Sequence, residues 1–131
     1  MEKKKAYLSQ PMKGHSLEWI TKVRDESIKV LEDLGYEVVN TKFTDKMCTQ
    51  EDMEKQGVVQ PSLAHLAMDL DNMSKCHAVY FCDGWHTSRS CRIELEVAKE
   101  YDLTRIFQAD IRRDESGHYY HATEGGEVAD A

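Results

Sequence analysis

Glu94 stands in an unfavourable place for an ordinary surface carboxylate. The stretch GWHTSRSCRIELEVAKEY, from Gly84 to Tyr101, reads as a turn feeding an amphipathic helix. At about 100° per residue, Cys91, Ile93, Leu95, Val97, Ala98 and Tyr101 share one apolar arc. Arg89, Arg92, Glu96, Lys99 and Glu100 share the opposite arc, and Glu94 falls near the middle of the apolar one. An ionised carboxylate facing a core costs roughly several kcal/mol unless it is paired or wet. Two arrangements remove that cost. Its head can escape at a helix end or pair with Arg89, Arg92 or His77. Alternatively the arc borders a pocket, where a partly desolvated carboxylate serves as nucleophile or general acid.

Other residues could complete such a site. Asp69 lies at the border of a leucine stripe, whereas Asp71 falls away from it, and a solvated role for Asp69 stays open. Tyr7 sits in a first strand, where tyrosines commonly pack. Lys13, Gly14, His15 and Ser16 form a loop running into a helix start, and Ser88 stands at the start of the Glu94 helix. Backbone N–H groups and the helix dipole suit an anion at both places. Two carboxylates and a phenol near two helix N-termini suit cleavage of a glycosidic bond. One carboxylate captures the oxocarbenium-like centre while another group protonates the leaving group.

The elements that must position these residues are readable. Lys5 to Gln10 is a first strand, and Leu17 to Leu34 is a helix with Ser16 as its N-cap and Gly35 as its left-handed stop. Tyr36 to Asn40 is a second strand, and Thr41 to Gln60 a polar loop with a short helix around Glu51 to Lys55. A helix over Ser62 to Ser74 places Leu63, Leu66, Leu70 and Met73 on one face. His77 to Asp83 reads as a strand buried on both sides and Thr104 to Asp110 as a fourth strand. His118 to His121 adds an edge strand, and the last ten residues read as disordered. The alternation predicts an α/β three-layer sandwich, Rossmann/flavodoxin-like, with a four- or five-stranded, mainly parallel sheet. Residues 1–111 form its domain and 112–131 a polar extension. Ligands in such folds bind beyond the carboxyl ends of the strands where strand order reverses, so the loops after strands one and three are the site candidates.

Composition narrows the partners. With 131 residues, 40% apolar and 31% charged, the chain fits one globular domain. A net charge of −7 leaves no basic stripe for a nucleic-acid polymer, and no run reaches the length of a membrane span. The start MEKKKAYLSQ lacks the apolar core of a signal peptide, so a cytoplasmic location is expected. Cys48, Cys76, Cys82 and Cys91 show no regular spacing and read as free thiols, three of them in apolar surroundings. The histidines are scattered and no dinucleotide, P-loop, zinc-protease or serine-hydrolase motif occurs, so neither metal nor cofactor is expected.

The array AYLSQPMKG, MDLDNMSKCHAVYF and GWHTSRSCRIELEVAKEYDL resembles the nucleoside 2-deoxyribosyltransferase-like superfamily over about Ala6 to Phe107. It is most similar to a small phage and bacterial branch known only as a domain of unknown function. The resemblance implies that Glu94 is the nucleophile, that Tyr7 orients it, and that Asp69 takes part in acid catalysis at the base. Ser88, six positions before Glu94, matches a ligand-contacting position that is Ser in relatives hydrolysing deoxynucleoside monophosphates, where it contacts the 5′-phosphate. Lys13 matches a basic residue of the first loop, and Ser9, Gly14, Gly84 and Ser90 complete the implied substrate-binding set. Gln10 and Ser90 stand where the superfamily commonly has glycine, and His77 replaces an acidic residue. The implied activity is cleavage or transfer of an N-glycosidic bond on a nucleoside or nucleotide, in a homodimer or higher homo-oligomer. A non-catalytic nucleotide-binding module of the same fold is the alternative.

Overall fold

A computed structural model of the protein describes residues 3–41 and 49–122. Its elements are β1 (Lys4–Ser9), α1 (Leu17–Asp33), β2 (Tyr36–Val38), α2 (Gln50–Lys55), α3 (Pro61–Met73), β3 (Ala78–Phe81), α4 (Arg89–Glu100), β4 (Thr104–Phe107), β5 (Ile111–Arg113) and β6 (Tyr119–His121). The part of the Thr41–Gln60 loop at 42–48, with Cys48, and the expected disorder at 123–131 lie outside the described residues.

Four parallel strands form the main sheet in the order β2-β1-β3-β4. The fold is α/β, flavodoxin- or Rossmann-like, with helices on both faces. Side chains alternate across the pleat and so build two cores. Ala6, Leu8, Ala78, Tyr80 and Ile106 pack with Val30 and Leu31 of α1. Tyr7, Val79 and Phe81 pack on the other face with Met73 of α3 and with Leu95 and Ala98 of α4. All four residues of β3 are buried, as a central strand covered on both faces requires. Order reverses between β1 and β3, which places the loops after these two strands side by side at one end of the sheet.

Local chemistry sets the ends of α1. The Ser16 side chain accepts from Trp19 N at the N-cap, and Gly35, at φ +94°, takes the left-handed turn that a Cβ would strain. β2 is only three residues long, so the Leu8 peptide on β1 has no strand partner on that side. The Asn40 side chain replaces one. Leu8 N donates to Asn40 Oδ1 (2.8 Å) and Asn40 Nδ2 donates to Leu8 O (2.9 Å). A buried backbone pair is thereby satisfied without lengthening the strand.

Three expectations change. β4 ends at Phe107 and the chain turns through Gln108–Asp110, where Gln108 Oε1 accepts from Asp83 N (2.8 Å). The segment His118 to His121 does not extend the main sheet. β6 pairs antiparallel with β5 in a separate hairpin, and Tyr119 N donates to Asp33 Oδ2 at the end of α1 (3.0 Å). The apolar arcs of α3 and α4 are wider than the surfaces that cover them: Leu63 is 61% exposed, Ile93 37% and Tyr101 76%. On α4 the buried stripe is Cys91, Glu94, Leu95 and Ala98, with Glu94 at its centre. Among the described residues, no helix is long and apolar enough to cross a membrane.

Candidate active site

Glu94 is 2% exposed and projects from α4, which packs against β3 and β4, to reach side chains of β1. Tyr7 and Ser9 stand two residues apart on β1, so both side chains leave the same face of the sheet, toward α4. Tyr7 Oη donates to Glu94 Oε2 (3.0 Å) and Ser9 Oγ donates to Glu94 Oε1 (2.6 Å). Each carboxylate oxygen therefore has its own buried hydroxyl donor. None of the partners considered for an ion-paired Glu94 is used in that way. His77 Nδ1 accepts from Lys5 N, near the start of β1, and Arg92 Nη1 donates to His86 O.

Asp69, on α3, also reaches this cluster. Its carboxyl interacts with the Tyr7 phenol and with Glu94. Burial pushes Glu94 well above the usual carboxylate range; the Ser9 and Tyr7 hydroxyls oppose that rise, and the Asp69 charge adds to it. Asp69 is raised as well, first by burial, with Tyr7, Glu94, His65 and Arg24 pulling it back. The Tyr7 phenol is raised by burial and by the two carboxylates, so it stays a neutral donor. Two carboxyls this close titrate as a pair, and the first proton removed leaves the second harder to remove.

The remaining expected residues lie on the two loops after β1 and β3 and at the start of α4. Ser88 caps α4, its Oγ accepting from Cys91 N (3.3 Å), and lies 3.3 Å from Ser90 Oγ. A hydroxyl has one hydrogen and two acceptor sites, so Ser88 can cap the helix and still donate outward. Gly84, at φ +88°, turns the chain after β3, and a Cβ there would stand 3.5 Å from Pro11 Cγ. The two loops are thus in contact at this point. Lys13 and Gly14 lie exposed in the first loop, and the next residue, His15, stacks on Trp19 at 3.6 Å. Ser9, expected to face substrate, is 1% exposed and its hydroxyl is committed to Glu94.

Arg24, unforeseen as a site residue, forms a buried pair with Gln10 at the same end of β1. Arg24, 3% exposed, donates from Nε to Gln10 Oε1 (2.8 Å) and from Nη1 to Asn40 O (2.5 Å). Gln10 Nε2 donates to Ile20 O (2.9 Å). The signal was present: Ile20, Arg24, Ser27 and Leu31 follow helical spacing on the buried side of α1, so Arg24 is as misplaced there as Glu94 is on α4. Cys76, Cys82 and Cys91 are free and buried; burial pushes the Cys76 and Cys82 thiols up to about 11, which keeps them unreactive. Among the described residues, no group of three or more His, Cys, Asp or Glu side chains is placed to hold a metal ion.

Residues 4–107 match a domain of unknown function, DUF4406. The chain belongs to the DUF4406 family. Its family region contains Tyr7, Ser9, Arg24, Asp69, Ser88 and Glu94, and the β5–β6 hairpin follows it. No curated protein and no solved structure matches this DUF4406 chain.

Proposed function

We propose that this DUF4406 protein cleaves or transfers the N-glycosidic bond of a deoxynucleoside or its 5′-monophosphate through a sugar intermediate on Glu94. The observation that carries the reading is a buried carboxylate with a separate hydroxyl donor on each oxygen and a second carboxylate beside it. The resemblance to nucleoside 2-deoxyribosyltransferase-like proteins supports it, because the residues matched to nucleophile, orienting phenol and acid are these three.

In the free site the proton shared by the pair rests on Glu94, and the reaction begins when it passes to Asp69, leaving an ionised Glu94 that its two hydroxyl donors stabilise. A Glu94 oxygen bonds to C1′ as the C1′–N bond breaks, and Asp69 passes its proton to the departing base. Water then attacks C1′ and gives a proton to Asp69. Glu94 leaves as carboxylate, and configuration is retained. A second base in place of water makes the reaction a transfer. Ser88 and its neighbour Ser90 take the 5′ end, where the α4 N-terminus favours an anion, and Lys13, Gly14 and Gly84 are assigned to it by the resemblance. The location that fits is the cytoplasm, where three unpaired thiols persist reduced.

The test is a panel of deoxynucleosides and their 5′-monophosphates, with free base followed by chromatography. Release from a monophosphate but not from its nucleoside is the expected pattern. No release from any of them, with a rise in melting temperature on adding one, replaces turnover by the sequestering alternative. The reading also includes a homo-oligomer, since Val59 (87% exposed) and Leu63 (61%) leave apolar surface around the start of α3. Light scattering that returns the mass of one chain removes that part.

A further inference from the structure

The end of β1 holds both donors of Glu94 and is poorly supported by the sheet itself. On one side β3 continues alongside it, with Ser9 opposite Phe81 and Cys82 N donating to Ser9 O (3.0 Å). On the other side β2 stops at Val38, opposite Ala6. From Leu8 onward that edge is held by side chains. Asn40 brackets the Leu8 peptide, and the Arg24 guanidinium joins the Asn40 carbonyl to Gln10. Leu8 and Gln10 alternate with Tyr7 and Ser9, so what fixes the first pair sets the direction of the second.

We infer that Arg24 is a positioning residue for Glu94: its guanidinium ties Gln10 and Asn40 together and so fixes the part of β1 that carries the Tyr7 and Ser9 hydroxyls. The fork matters as much as the charge. Its Nε and Nη1 hydrogens point to two acceptors at once, which a lysine ammonium on a flexible stem does not reproduce. The charge acts too, favouring the ionised forms of both Glu94 and Asp69. Among the described residues, the titratable groups around Glu94 are Tyr7 on β1, Asp69 on α3 with His65 a turn before it, Cys91 on α4 and Arg24 on α1.

The experiment compares Arg24→Met, Arg24→Lys and Val30→Ala, the last a core truncation on the same helix that removes no hydrogen bond and no charge. Glu94 is titrated by carbon NMR in glutamate-labelled free protein, and base release is measured on the best substrate of the panel. Arg24→Met is expected to raise the Glu94 midpoint by roughly half a pH unit or more. It is also expected to lower kcat about 10²-fold with little change in KM. Arg24→Lys keeps the charge but not the fork, so the midpoint stays raised by part of the Arg24→Met shift and kcat still falls about tenfold. Val30→Ala lowers the melting temperature and leaves the midpoint in place. A Glu94 midpoint that Arg24→Met moves no further than Val30→Ala overturns the inference, and so does full recovery of kcat by lysine. The kinetic arm rests on the proposed reaction, whereas the titration needs no substrate and judges Arg24 by itself.

Discussion

Glu94→Gln is expected to abolish base release while making the protein more stable. Glutamine keeps the shape and an acceptor for Tyr7, but it cannot form the sugar ester. Loss of the nucleophile should lower kcat by roughly 10⁴-fold or more. The stability gain follows from burial. The folded protein holds the Glu94 proton up to about 8, against an ordinary glutamate value of 4.5 in the unfolded chain. Between those values the folded state binds more protons than the unfolded one, so stability falls as pH rises through the window. Glutamine does not titrate and escapes that loss. Its advantage is absent below about pH 4.5, grows across the window and levels off above about 8. A gain on the order of 1–3 kcal/mol at the alkaline end corresponds to several degrees in melting temperature. Scanning calorimetry across pH, beside base release, checks both halves. Equal release by wild type and variant eliminates the nucleophile assignment, and equal melting curves at alkaline pH eliminate the claim that an ionised Glu94 strains the fold.

Asp69→Asn should separate the two carboxylates by leaving group. An acid that protonates a departing base is worth about 10²–10⁴ in rate, and that factor is lost with the natural nucleotide. A 2-deoxyriboside with an activated leaving group such as 4-nitrophenolate needs no proton on departure, so the variant should cleave it within a few-fold of wild type. The same substitution removes a negative charge from beside Glu94, whose carboxyl is then held up less strongly. The acid limb of the pH profile therefore moves to lower pH. An equal loss on both substrates would assign Asp69 to holding the site together instead of donating a proton.

Much of the scaffold is legible in the chain because its determinants are local. A serine cap and a glycine stop delimit α1, and a short apolar run marks β3. Helical spacing marks Glu94 as out of place, and the same test applied to α1 marks Arg24. Other features are not local. Periodicity gives the direction of an apolar arc but not the breadth of the surface opposing it, which is why Ile93, Leu63 and Tyr101 emerge exposed. The segment His118 to His121 has strand composition, yet its partner is the equally short β5 and not the main sheet. Pairing choice depends on which edge the chain reaches.

By itself the sequence determined the order of strands and helices and a glutamate on the wrong arc, because propensity, capping and periodicity act over a few neighbours. Only the tertiary structure decided what meets that glutamate. Tyr7 and Ser9 lie 87 and 85 residues away along the chain, and they reach Glu94 because β1 pairs with β3 at the reversal of strand order while α4 packs on the same face of the sheet. The Arg24 bond to Gln10 likewise exists because β2 ends early and leaves that edge of β1 to be held by side chains. Such contacts are set by register and crossover, and no short window of residues contains either.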